Sequence, residues 1–102
     1  MMLCYCFDID GTLCTTSGLS YEDAEPIEER IKVLNSLYEK GHKIVLFTAR
    51  GTVTGIDHRA LTEAQLKQWG VDYHELYMGK PFYDIFVDDK AFNDKTFFGD
   101  NK

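Results

Sequence analysis

Five acidic or hydroxyl side chains stand where apolar runs stop. Asp8 closes Leu3 to Asp8, with Asp10 following two residues later. Thr48 closes Lys43 to Thr48, and Asp88 and Asp89 follow Asp84 to Val87. Lys80 lies between Gly79 and Pro81, which would fix the loop that aims it. Two carboxylates at one strand end can divide the labour of hydrolysing a phosphate monoester through a covalent intermediate. Asp8 would attack phosphorus, while Asp10 would protonate the leaving oxygen and then activate water. Both steps shift negative charge onto phosphoryl oxygens. The Thr48 hydroxyl, backbone amides after it (at Ala49) and the Lys80 ammonium suit that charge. Four carboxylates gathered together would raise one another's pKa unless a hard cation neutralised them, and an oxygen-only set points to Mg²⁺. Zinc fits poorly, because His42, His58 and His74 show no paired ligand spacing.

Taken singly, each residue has an ordinary explanation. Aspartate is common in turns, threonine in caps and lysine on surfaces. Their joint placement depends on the elements between them. Leu3 to Asp8 reads as a first, central strand and Leu13 to Glu25 as a surface loop or small hairpin. Pro26 suits the first turn of a helix whose apolar positions Ile27, Ile31, Leu34 and Leu37 recur at helical spacing up to Gly41. Lys43 to Thr48 is a second strand. Thr62 and Gln65 form a capping-box pattern that opens a helix ending at Trp69 and Gly70. Tyr73 to Tyr77 and Asp84 to Val87 are expected as further strands, and the last few residues as a poorly ordered tail. Strands alternating with helices imply an α/β fold, a three-layer, doubly wound parallel sheet that binds its ligand beyond the carboxyl ends of its strands.

Composition bounds the rest. The 102 residues suit one domain over 1–102, and no apolar run approaches the roughly 20 residues of a membrane span. The net charge of -6 opposes binding to nucleic acid or anionic lipid, while leaving room for a small phosphorylated substrate beside a divalent cation. Cys4, Cys6 and Cys14 are an odd, clustered set, so a disulfide framework is not expected and a cytoplasmic location is. Core packing is their simplest role.

The series DIDGTL (Asp8 to Leu13), LFTARG (Leu46 to Gly51), GKP (Gly79 to Pro81) and VDDKA (Val87 to Ala91) closely resembles the haloacid dehalogenase superfamily, with four motifs in order. The resemblance implies that Asp8 is nucleophile and metal ligand, and that Asp10 is acid/base and binds metal through its carbonyl. Thr48 and Lys80 would grip phosphate, and Asp88 would ligate metal with Asp89 in support. An aspartate at position 10 implies a phosphatase over a dehalogenase. Neither stretch between motifs has room for a cap domain, so the resemblance is to capless members with an open site, which a second copy of the chain could cover. FTARG, LTEAQLKQWGV, YHELYMGKP and VDDKA are further similar to small phosphatases of capsule or surface-polysaccharide biosynthesis. Arg50 and the loop from Thr52 to Arg59 lie where the rest of a substrate could be read. Two alternatives remain open. One is an open-site protein or nucleic-acid phosphatase. The other is a receiver-like phosphoacceptor module, against which Asp10 argues, because a signalling acceptor should lack a base poised to hydrolyse its acyl phosphate.

Overall fold

The computed structural model describes residues 2–17 and 20–99. Its centre is a parallel three-stranded sheet, in the order β1 (Cys4–Phe7), β4 (Lys43–Phe47) and β5 (Glu75–Tyr77). Ile44 and Leu46 of β4 are fully buried, and with Phe7, Ile31, Leu34, Leu66 and Leu76 they belong to one continuous apolar core. Phe7 pairs with Leu46 and Phe47 with Tyr77, so adjacent parallel strands end almost level. Asp8, Thr48 and Met78 therefore follow at the carboxyl end of the sheet.

After Asp8 the chain turns sharply. The Ile9 carbonyl accepts from the amides of Thr12 and Leu13 at 3.1 and 2.8 Å, and Ile9 and Leu13 are fully buried beneath the turn. A small antiparallel hairpin comes next, β2 (Cys14–Thr15) against β3 (Glu25–Pro26), with a 3-10 turn at Tyr21–Asp23 between them. Helix α1 (Glu28–Glu39) begins two residues after Pro26, which the hairpin uses instead. It buries Ile31 and Leu34 and shows the anticipated period. Helix α2 (Arg59–Trp69) ends at Gly70 in the left-handed conformation.

Four expectations need correction. Helix α2 starts three residues before Thr62, and Thr62 donates to the His58 carbonyl at 2.8 Å, so Thr62 and Gln65 are interior positions and form no capping box. The stretch 84–87 is not a strand. The Tyr83 and Phe86 rings meet at a tilt with centroids 5.2 Å apart, and side chains three residues apart cannot share a side of an extended chain. The backbone is bent accordingly, leaving Ile85 and Val87 82% and 90% exposed. As a result β4 is the central strand and β1 lies at the edge, with no strand on its outer side among the described residues. Cys14 alone of the cysteines is buried, while Cys4 and Cys6 are exposed.

A short helix not anticipated from the sequence, α3 (Asp94–Phe98), covers part of that edge strand. Phe97 meets Tyr5 and Phe7 edge-on at 6.1 and 5.7 Å, and Arg30 of α1 reaches Asp94 at 2.8 Å. The expected tail disorder falls on residues 100–102, outside the described residues. No helix among the described residues is long and apolar enough to cross a membrane.

The buried apolar face of β4 should dominate stability. Leu46→Ala is expected to cost about 2–5 kcal/mol, the usual range for a leucine cavity, whereas Val33→Ala on the exposed side of α1 should stay within about 0.5 kcal/mol. Urea unfolding of the two variants measures the contrast.

Candidate active site

Asp8 sits at the end of β1, partly buried. The Lys80 ammonium lies 3.4 Å from its carboxylate. Burial pushes the Asp8 pKa above its ordinary value, and the opposing pull of Lys80 and of the Ile9 amide does not cancel it. Burial acts to lower the pKa of Lys80, but its hydrogen bond with Tyr83 and the charge of Asp8 outweigh that and keep it charged. The Lys80 backbone is held from two sides: its amide donates to the Thr48 carbonyl at 2.9 Å, and its carbonyl accepts from the Thr52 hydroxyl at 2.7 Å. The loops after β4 and β5 are thus tied together, and the tie aims the ammonium at Asp8.

Asp10 is differently placed. Its carboxylate accepts from Arg50 Nε and Nη2, both at 2.9 Å, one to each oxygen, and from the Thr16 hydroxyl at 2.5 Å. Burial works to raise its pKa, but the bonds from Arg50 and Thr16 and the guanidinium charge prevail, so Asp10 is held below the usual carboxylate value. The two aspartates therefore differ in character, since one is destabilised as an anion and the other stabilised.

Arg50 requires a correction. Expected as a substrate contact, it is 3% exposed and turned inward. Nη1 donates to Gln65 at 2.6 Å and to Thr62 at 3.2 Å, and the guanidinium lies 4.8 Å over the Tyr21 ring. Those α2 side chains were visible in the sequence as a polar pair, but their spacing resembled a cap. Thr48 is also fully buried, its hydroxyl accepting from the Arg50 amide at 3.1 Å, with half-buried Ala49 between them. Gly51 shapes the loop leading to α2. Its φ is +83°, and a Cβ there would fall 2.1 Å from the Ile56 carbonyl oxygen, so only glycine lets the loop fold back this closely. Arg50, Thr52, Ile56, His58, Met78 and Gly79 help to line a cavity of about 180 Å³ between the two loops. A larger cavity, about 460 Å³, lies near Trp69 and Glu28, and neither cavity has Asp8, Asp10 or Lys80 in its wall.

The remaining expected ligands are not assembled. Asp88 and Asp89 are exposed in the irregular segment, and Asp88 accepts from the Lys90 amide at 2.6 Å in a local turn. No three His, Cys, Asp or Glu side chains among the described residues are grouped to hold a metal. The donors are hard oxygens of the kind magnesium takes; Asp88 and Asp89 are not grouped with Asp8 in this arrangement, and Asp10 presents both carboxylate oxygens to Arg50, which leaves its backbone carbonyl as the expected donor. The histidines act structurally. His42 and His74 accept through Nδ1 from the amides of Leu3 and Ile44, each at 3.0 Å, and His58 packs edge-on to Tyr21.

Residues 5–72 match the family model of haloacid dehalogenase-like hydrolases, well over half the chain. The chain belongs to this family. Among solved structures, this hydrolase is similar to a crystal structure from Vibrio cholerae, at 27% identity and a TM-score of 0.87, covering 98% of this chain and 90% of that one. It also matches part of a Pnkp1/Rnl/Hen1 complex at 21% identity and a TM-score of 0.61, covering 98% of this chain and 34% of that one. A second match, to the Pnkp1/Rnl/Hen1 RNA repair complex, has 20% identity and a TM-score of 0.59, covering 95% of this chain and 29% of that one. At these identities the two complexes show a shared fold. No curated protein matches the sequence.

The contrast between the carboxylates has a measurable consequence. Asp10, with a lowered pKa, contributes stability that is present above its ordinary 3.8 and lost as pH falls through the folded value. Asp8, with a raised pKa, contributes stability present below 3.8 and lost as pH rises through the folded value. At pH 7, therefore, Asp10→Asn should lower the Tm and Asp8→Asn should raise it, and both differences should shrink on acidification below about pH 4. Thermal melts across pH 3–7 test the signs.

Proposed function

We propose that this hydrolase cleaves phosphate monoesters of a small metabolite through a phosphoaspartate at Asp8. The observation that supports the reading most directly is the pairing of a desolvated Asp8 carboxylate with Lys80 beside the separately held Asp10 carboxylate. A carboxylate poorly stabilised by water is a better nucleophile, and Lys80 sits where it would meet the oxygens of an incoming phosphoryl group.

In the first step an Asp8 oxygen bonds to phosphorus and the ester oxygen departs with its electron pair, receiving a proton from Asp10. In the second, water attacks phosphorus and Asp10 takes its proton. The bond to Asp8 breaks, and phosphate leaves. The ionised form in which Asp10 is held suits the second step, and its role as donor requires protonation before the ester bond breaks.

Magnesium belongs to the proposal on the chemistry of the oxygen donors: Asp8 and the Asp10 backbone carbonyl would hold it at the strand end, with Asp88 and Asp89, which are not grouped with them in this arrangement, as the further candidate ligands. It would supply further positive charge toward the phosphoryl oxygens. The substrate proposed is a sugar phosphate of surface-polysaccharide or capsule synthesis. The net charge of -6 accords with a small ligand in preference to a polyanion.

Phosphate release from sugar phosphates, nucleotides, phosphopeptides and 3'-phosphorylated DNA, with magnesium and with EDTA, tests both parts. Turnover is expected on a small sugar phosphate, lost in EDTA and restored by magnesium. Asp8→Asn should lower kcat by about 10³-fold or more, the scale on which loss of a covalent nucleophile acts. Undiminished turnover in that variant would remove Asp8 as the nucleophile.

A further inference from the structure

Arg50 makes more directed contacts than any need for solubility or packing explains. A guanidinium has five N–H donors in one plane. Here Nε and Nη2 grip the two oxygens of Asp10 at 2.9 Å, Nη1 is divided between Thr62 and Gln65, and Nη2 also lies 3.9 Å from Cys14 Sγ. The partners are themselves fixed. Gln65 Nε2 donates to the Tyr21 carbonyl at 2.6 Å, Thr62 donates to the His58 carbonyl at 2.8 Å, and the Tyr21 ring underlies the guanidinium. The strand end, the hairpin and α2 thus converge on one side chain, and that side chain touches Asp10.

Stability alone is a poor reason for such a group. Burying an ion pair costs desolvation that its Coulomb attraction often only offsets, and apolar residues of similar volume would hold the fold as well. What a two-point contact supplies is orientation. It removes rotation of the carboxylate about its last bond, and proton transfer is sensitive to displacements on the order of 1 Å.

We propose that Arg50 is a positioning residue for Asp10: it fixes the plane of that carboxylate relative to Asp8, and Thr62 and Gln65 of α2 act through it. The inference rests on the phosphatase reading. The step affected most is the second, in which water forms a bond to phosphorus and gives its proton to Asp10. The phosphorus–Asp8 bond breaks in the same step, and its electron pair returns to the Asp8 carboxylate. Formation of the phosphoenzyme from an activated aryl phosphate depends less on Asp10, because an aryloxide leaves readily as an anion.

The experiment uses an aryl phosphate in rapid mixing. In Arg50→Lys, which keeps the charge but loses the fork, kcat should fall by about 10²-fold, with a burst of phenol equal to the enzyme concentration before the slow steady state. Gln65→Met, which removes an acceptor from Arg50 without touching Asp10, should show the same pattern at about 10-fold and decides the matter if Arg50→Lys fails to fold. The Arg50 Nε–H resonance, protected from exchange in the wild type and exposed in Asp10→Asn, reports the pairing apart from any turnover. A folded Arg50→Lys with wild-type kcat, or loss of burst and steady rate in equal proportion, would overturn the positioning role. Absence of turnover in the wild type on every ester would instead sink the phosphatase reading.

Discussion

An arginine can be buried only when nearly every one of its donors finds an acceptor, and in this chain that constraint fixes more of the site than any other contact. Arg50 meets it by drawing in Asp10 from the turn after β1 and Thr62 and Gln65 from α2, with the Tyr21 ring beneath. The amide of Arg50 in turn occupies the Thr48 hydroxyl. The sheet edge, the hairpin and the second helix are consequently held in one relative position by polar bonds, while the apolar core around Ile44, Leu46 and Leu66 fixes the layers.

Around this rigid half lies a softer one. Lys80 is clamped through its backbone, but its ammonium is shared among Asp8 and the Tyr83 and Phe86 rings, 5.1 and 6.0 Å away. The segment after Pro81 is irregular, and Asp88 lies in a local turn instead of at a strand end. Asp8 thus has the firmly bonded Asp10 carboxylate as one neighbour and the Lys80 ammonium as the other.

The sequence made the strand ends legible because Asp8 and Thr48 abruptly close apolar runs, and helix α1 because its period is long and ends in glycine. It was less informative wherever the same residue types serve two purposes. Thr62 and Gln65 have the spacing of a cap, and nothing local shows that they face a buried guanidinium. Arg50 stands two residues after Thr48, where the resemblance implied phosphate binding, so an outward role was the natural expectation, whereas its direction depends on a partner forty residues away. The run 84–87 has strand composition, yet a strand needs a ladder partner, and contacts of Tyr83 and Phe86 with Lys80 compete with it. Helix α3 is too short to show a period, although Asn93 caps its start and Gly99 ends it.

Among the described residues, the outer side of β1 has backbone hydrogen-bonding groups with no neighbouring strand and only α3 as partial cover, and the chain also exposes Phe82, Ile85 and Val87. An open edge together with uncovered apolar side chains is a template for sticking to other molecules. The charge of -6 opposes such contacts between copies through mutual repulsion. Near the isoelectric point of about 4.9 that repulsion vanishes while the sticky edge does not. An exposed strand edge thus ties the association of this small hydrolase to acidity and salt, the two variables that set its charge repulsion.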